Sequence, residues 1–270
     1  MRALEQIDAW PASTAAVAVV TDDGVAGRRG PADVVLRWAS VTKLLTASAV
    51  LVAAEEGVLD LDEPAGPAGS TVRHLLAHAS GLPFEGDVPI AKPGERRIYS
   101  NTGFDLLGER LAERAEMPFA EYLRAAVLDP LDLAGAELRD RPSQGIWGTL
   151  ADLTAFGREL LLPTLVAAET LAEATSTAFP GLGGVLPGIG RQDPNDWGLG
   201  FELKNAKTPH WTGSENSPAT FGHFGGAGTF LWVDPDARVA CACLTDLTFA
   251  EWALSAWPLL SDGILAELAG

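Results

Sequence analysis

Apolar positions along this chain fall into three regimes. Residues 3–10 have the spacing of a short first helix, ended by Pro11. Residues 14–20 form an apolar run of strand length, Thr21-Asp22-Asp23-Gly24 supplies a turn, and residues 25–29 read as a returning strand. Residues 34–38 are a further extended run. From Ser40 the pattern becomes helical: leucines, alanines and valines recur at helical spacing to Glu56, with Gly57 placed to stop the helix. Ser40 falls at or near its start. Further helices are predicted over 71–78, 103–115, 119–127 and 150–162, so residues 44–175 read as mainly helical. Residues 180–190, rich in glycine and proline, read as a loop. The character then changes again. Strands are predicted over 198–204, 228–233 and 238–245, the last two joined by the turn Asp234-Pro235-Asp236-Ala237. Residues 249–268 close the chain as a helix bent or broken at Pro258. Strands at both ends with helices between predict an α+β fold. Its antiparallel sheet is flanked by N- and C-terminal helices, with a mainly helical region inserted. The expected division is 1–39 with 190–270 for the sheet and 40–189 for the helical region.

Bulk composition narrows the function classes. Hydrophobic residues make up 47% and charged residues 20% of the 270, ordinary for a soluble globular enzyme. The net charge of −17 repels phosphate backbones and anionic bilayers, which argues against nucleic acid and membrane as partners. Cys241 and Cys243 flank Ala242. On a strand they share a face, where a bridge would be strained, and two thiols alone make no zinc site. They read as small buried hydrophobes. Glu5 and Asp8 interrupt what a signal peptide would need, and the apolar stretch 44–54 is too short to span a bilayer. A cytoplasmic location is the expectation. No pattern in the chain sets an oligomeric state.

Three short motifs carry chemistry. The first is Ser40-Val41-Thr42-Lys43, the only S-x-x-K in the chain. A serine hydroxyl is a poor nucleophile unless a base takes its proton. Three residues along a helix bring the Lys43 amine onto the same face, and the positive helix end favours developing charge at Ser40. Lys43 can act as base only where burial or a neighbouring cation lowers its pKa. Tyr99-Ser100-Asn101 is the second. A tyrosine beside a lysine ammonium gives up its phenolic proton more easily and can relay protons. The Asn101 amide can hold the lysine and a substrate carbonyl together, since it both donates and accepts. Read blandly, the same residues are a packed tyrosine and a helix-capping asparagine. His223-Phe224-Gly225 is the third, within a glycine-rich run just before a strand. There a backbone N–H can face an oxyanion and His223 can add positive charge or a proton relay. The run does not satisfy G-x-G-x-x-G, so no dinucleotide cradle is expected.

In this order the three motifs resemble the serine β-lactamase and DD-peptidase superfamily. The likeness is greatest to its class C β-lactamase, DD-carboxypeptidase and family VIII esterase branch, which shows S-x-x-K, then Y-x-N, then K-T-G or H-x-G. The segments Arg37 to Ala47, Thr71 to Leu82 and Trp197 to Phe201 are similar to stretches of that family, so the resemblance covers nearly the whole chain. It implies a β-lactamase/transpeptidase-like fold with the site between sheet and helical region. It further implies that Ser40 forms an acyl-enzyme, that Lys43 and Tyr99 share acid and base work, and that Asn101 orients Lys43 and substrate. The N–H groups of Ser40 and Gly226 would form the oxyanion hole, Phe224 and Gly225 would line the substrate, and no cofactor or metal is implied.

Phe224 departs from the K-T-G pattern. A threonine hydroxyl there would help bind a carboxylate; phenylalanine cannot. The expected substrate therefore shifts from β-lactams and D-Ala peptides toward small esters or amides with an apolar flank. The competing reading is a catalytically silent relative that binds a small molecule or protein. His74 and His78 lie four apart but lack the glutamate of H-E-x-x-H, so no metal pair is expected. G-x-S-x-G is absent. Trp197 and Trp211 are candidates to border the acyl pocket.

Overall fold

The computed structural model describes residues 1–270. The chain opens with 3-10 turns over Arg2–Ala9. Strands β1 (Ala15–Thr21) and β2 (Gly24–Arg29) follow as a hairpin, and β3 (Leu36–Arg37) is short. A 3-10 turn over Ala39–Val41 runs straight into α1 (Thr42–Glu55). Next come α2 (Val72–Leu76), α3 (Asn101–Ala115) and α4 (Phe119–Leu123), which passes into a π turn over Arg124–Leu128. Strands β4 (Glu137–Leu138) and β5 (Ile146–Gly148) precede α5 (Leu150–Leu161) and α6 (Ala168–Ala174). Strands β6 (Gly184–Leu186), β7 (Gly190–Gln192), β8 (Glu202–Leu203), β9 (Phe221–Gly225), β10 (Thr229–Asp234) and β11 (Val239–Thr245) lead to α7 (Glu251–Ala269).

One six-stranded antiparallel sheet, ordered β2-β1-β11-β10-β9-β8, organises the molecule. Its alternation explains why β1 and β11 read as unbroken apolar runs. Ala16, Ala18, Val20, Ala240, Ala242 and Leu244 face a core shared with α5 and the helical region. Val17, Val19, Val239, Cys241 and Cys243 face the other core, made with α7 and the N-terminal turns. Both faces are covered, so neither can be polar. The register pairs Val17 with Cys243 and Val19 with Cys241. Both cysteines are free and buried, and each fully buried side chain of this size adds roughly 1–3 kcal/mol.

The α+β arrangement is as the strand-helix-strand pattern predicts, with four local corrections. The helical stretch 44–175 is interrupted by a second sheet, β3-β5-β4. Residues 180–190 are not only loop, because β6 lies there and pairs with β7 in a tight hairpin. His223-Phe224-Gly225 lies on a strand, β9, rather than before one. Helix α7 continues through Pro258 without a break. The carbonyl that loses its partner there belongs to Leu254, on the exposed side of the helix, where water can take the missing proton's place. No helix is long and apolar enough to cross a membrane.

α1 is the element that matters most for the site. It is apolar on every side and buried from Thr42 to Ala53, the signature of a helix threaded through a core. Its few polar groups find partners inside. Thr46 Oγ1 donates to the Pro142 carbonyl and Thr42 Oγ1 accepts the Ile146 N–H. A lysine at the second position of such a helix has no route to solvent.

Candidate active site

Ser40 sits in the 3-10 turn that precedes α1. Ala39, just before it, has φ 46, a left-handed conformation that costs a residue with a Cβ about 1 kcal/mol or more. The turn is clamped from the sheet side, where Thr229 Oγ1 donates to the Trp38 carbonyl. Gly225 explains how β9 gets so close. A Cβ there would lie 2.5 Å from the Trp38 carbonyl oxygen and 2.5 Å from Thr229 Oγ1. Gly225 therefore packs the sheet against the Ser40 turn and does not line the cavity, whereas the sequence led one to expect it to line the substrate. Gly226, the next residue, faces open space and lines the cavities on both sides of Ser40.

Lys43 is fully buried. Its Nζ lies 2.7 Å from Asn101 Oδ1, 2.8 Å from the Ser143 carbonyl and 3.4 Å from Ser40 Oγ. The rings of Tyr99 and Phe104 flank it at 4.8 and 5.5 Å. Burial lowers its pKa to about 7, the charges of Asp105 and Glu85 opposing the fall and that of Arg141 adding to it. The partners then decide the proton arrangement. Two are carbonyl oxygens that only accept, so they take the two hydrogens of the neutral amine. The lone pair is left for the Ser40 hydroxyl.

Asn101 opens α3, but the helix cap is Ser100, whose Oγ accepts the Gly103 N–H. That removes the capping explanation for Asn101 and leaves its amide free for Lys43 and Glu85. Tyr99 is buried, and burial pushes its phenol up, a hydrogen bond with Ser40 opposing the shift. The expected easy loss of its proton is therefore corrected: desolvation of the phenolate dominates. His223 needs a second correction. Its Nδ1 lies 2.6 Å from the Phe224 carbonyl, so that nitrogen carries the hydrogen and Nε2 is the acceptor. Nε2 is 3.3 Å from Tyr99 Oη and accepts the phenolic proton. Burial, then the charge of Lys43, lowers the His223 pKa to about 3, so His223 adds no positive charge near neutrality.

Around these groups lies an apolar cavity of about 180 Å³, walled by Phe84, Leu186, Trp197, Phe224 and Phe249, with Ser40, Tyr99, Glu202 and His223 also lining it. Trp197 borders it as expected. Trp211 does not; it packs behind Phe224 and donates to Glu202. A second, more open cavity of about 530 Å³ meets Ser40 from the other side and carries Arg37, Asn101, Gln144 and Asp246. His78 supplies neither cavity. Its Nδ1 accepts the Ser100 N–H inside a cluster with Tyr99, Phe104 and Trp197, and His74 pairs with Thr71, so the two histidines do not form a metal pair. Sequence reasoning missed Glu85, Arg141 and the Ser143 carbonyl. Two are exposed charges in loops and one is backbone, none of which has a periodic or motif signal.

The family profile described as Beta-lactamase matches residues 7–254. The crystal structure of a beta-lactamase (Mb2281c) from Mycobacterium bovis superposes with a TM-score of 0.97 at 51% identity, covering 98% of this chain and 99% of that one. Unliganded simvastatin synthase (LovD) from Aspergillus terreus gives a TM-score of 0.80 over 98% and 97% of the two chains, at 17% identity, a likeness of fold alone. The D-alanyl-D-alanine-carboxypeptidase/endopeptidase AmpH of Escherichia coli strain K12 is 26% identical over 42% of this chain and 39% of its own, so the match spans under half of that relative.

Proposed function

The chain belongs to the β-lactamase family, and from that premise we propose that it is a serine hydrolase that cleaves small, apolar carboxylic esters through an acyl-enzyme on Ser40. One observation supports this reading above the others: the buried Lys43 amine has both hydrogens committed to carbonyl oxygens and its third partner is Ser40 Oγ. Ser40 Oγ attacks the ester carbonyl as its proton passes to Lys43 Nζ. The oxyanion lies against the N–H groups of Ser40 and Gly226. When the C–O bond breaks, the Lys43 ammonium returns the proton to the departing alcohol. Water then adds to the acyl carbonyl, loses its proton to the same amine, and Ser40 leaves with that proton. Tyr99, protonated and donating to His223 Nε2, stays neutral beside Ser40 and leaves the Ser40 proton to Lys43.

The apolar cavity takes the acyl group and the open polar one the alcohol. An engineered apolar cavity of roughly 150 Å³ holds benzene, so about 180 Å³ suits a ring or a short aliphatic chain. Phe224 closes this cavity against Phe249 and offers no donor for a carboxylate. Each methylene buried contributes about 0.8 kcal/mol. Across p-nitrophenyl esters, kcat/KM is expected to rise about tenfold from acetate to butyrate and to fall again at dodecanoate. A flat or steadily rising series would contradict the assignment of this cavity.

Intact-mass measurement after treatment with a fluorophosphonate tests the reading itself. A single adduct mapping to Ser40, absent in Ser40→Ala, is expected. No adduct with that reagent or with a β-lactam, together with no turnover of short p-nitrophenyl esters, would sink it and leave the binding-protein reading standing.

A further inference from the structure

Lys43 belongs to a closed ring of polar contacts. Its Nζ donates to Asn101 Oδ1, and Asn101 Nδ2 donates to Glu85 at 2.9 Å. Arg141 grips Glu85 with two N–H donors at 2.8 and 3.0 Å and reaches Asp105 at 3.1 Å. Asp105 accepts the Ser143 N–H at 3.1 Å, and the Ser143 carbonyl returns to Lys43. The ring settles which way the Asn101 amide points: reversed, its NH2 would meet the amine and its oxygen the Glu85 carboxylate. Neither Glu85 nor Arg141 lines the two cavities at Ser40.

We propose that the Glu85–Arg141 pair is a positioning device for Lys43: it orients the Asn101 amide and sets two charges of opposite effect behind the groups that hold the amine. This rests on the reading of Lys43 as the base for Ser40. Every element packed on the amine contributes to its surroundings. Ser40 comes from the turn, and Tyr99, Asn101 and Asp105 from α3 and its start. His78 follows α2, His223 lies on β9, and Glu85, Arg141 and Ser143 come from loops. Glu85 and Asp105 favour the ammonium form and Arg141 the free amine. His78 and His223 are held neutral by burial and Tyr99 stays protonated. Fixed charge near Lys43 therefore comes from Glu85, Asp105 and Arg141. Glu85 and Arg141 are 45% and 39% exposed, so water screens them and each moves the amine only modestly.

Two substitutions pull in opposite directions. Glu85→Gln keeps an oxygen acceptor for Asn101 but removes the negative charge. Arg141→Gln removes the positive one and leaves Glu85 and Asp105 unopposed. Lys43, Lys92, Lys204 and Lys207 are the chain's only lysines, so carbon-13 labelling of lysine gives a countable set of NMR signals. The Lys43 signal is the one lost in Lys43→Met. Its titration midpoint is expected to fall by about half a unit in Glu85→Gln and to rise by a similar amount in Arg141→Gln, with Lys92, Lys204 and Lys207 unmoved. The acid limb of fluorophosphonate labelling at Ser40 should follow each shift. A Lys43 midpoint that stays put, or moves the same way in both variants, overturns the proposal. Opposite shifts in a protein whose Ser40 is inert would uphold the pair's role and discard the hydrolase reading.

Discussion

Lys43→Met is expected to slow acylation of Ser40 by about 10³-fold, the usual worth of a positioned general base, while the protein stays folded. Methionine fills the same buried slot between the rings of Tyr99 and Phe104 without a charge to desolvate. What it removes is the only nitrogen beside Ser40 with a lone pair to spare. Tyr99 cannot take over, because burial pushes its phenol well above neutrality and its hydrogen is engaged with His223. The pH profile separates this from a general loss of structure. In the wild type the rate should rise with pH through about 7, because the ammonium must lose its proton before it can accept one from Ser40. In Lys43→Met that limb should vanish along with the rate. Stopped-flow acylation by p-nitrophenyl butyrate from pH 5 to 9 measures both. Loss of less than tenfold, or an acid limb persisting near pH 7, would move the base elsewhere.

How much of this was legible in the sequence depends on whether a feature is local or tertiary. β1, β10 and β11 announce themselves because both sheet faces are covered, which makes them largely unbroken apolar runs. β9 hides: Phe221-Gly222-His223-Phe224-Gly225 has two glycines and a histidine, present because the strand end must pass close to Trp38 and carry a polar ring into the site. β4 and β5 are too short for any period to register. The nucleophile segment and Tyr99-Ser100-Asn101 could be read from residue type and spacing, and the structure brings Ser40, Lys43, Tyr99, Asn101 and His223 together. Their protonation could not be read. The neutrality of His223, the raised phenol of Tyr99 and the lowered amine of Lys43 all come from burial, which depends on elements remote in the chain. Glu85 and Arg141 are ordinary exposed charges until folding places them on either side of a bidentate contact.

Glu202→Ala is expected to destabilise the fold by about 3–5 kcal/mol, the cost of stranding a buried charge by removing its partner. Glu202, on β8 and buried, pairs with Lys207 and accepts from His210 Nε2 at 2.8 Å and Trp211 Nε1 at 2.9 Å. Lys207 in turn donates to the carbonyls of Asp196 and Leu203. Burial alone would raise the Glu202 carboxyl, but the charges of His210 and Lys207 carry it down to about 2. That sets the sign of its pH dependence. A carboxyl ordinarily near 4.3 when unfolded contributes fully above that pH, and the contribution is lost as pH falls from there toward 2. The wild type should therefore lose stability across this window and Glu202→Ala should lose less. At neutral pH the substitution should lower Tm by roughly 6–10 °C, taking about 2 °C per kcal/mol for a chain of this size. The double variant Glu202→Leu with Lys207→Met should recover part of that loss, because it removes the stranded Lys207 ammonium but leaves the His210 and Trp211 donors without their acceptor. Calorimetry of the three proteins checks this: a double variant as unstable as the single would mean that the unpaired Lys207 charge is not the source of the loss. Glu202 also lines the apolar cavity together with Trp197, so the double variant should keep more of its Ser40 reactivity than the single one, which loses labelling as its cavity wall loosens. β8 is thus held by a charge cluster at the point where the sheet edge meets the cavity beside Ser40, so the fold and the site are expected to fail together when that cluster is broken from one side.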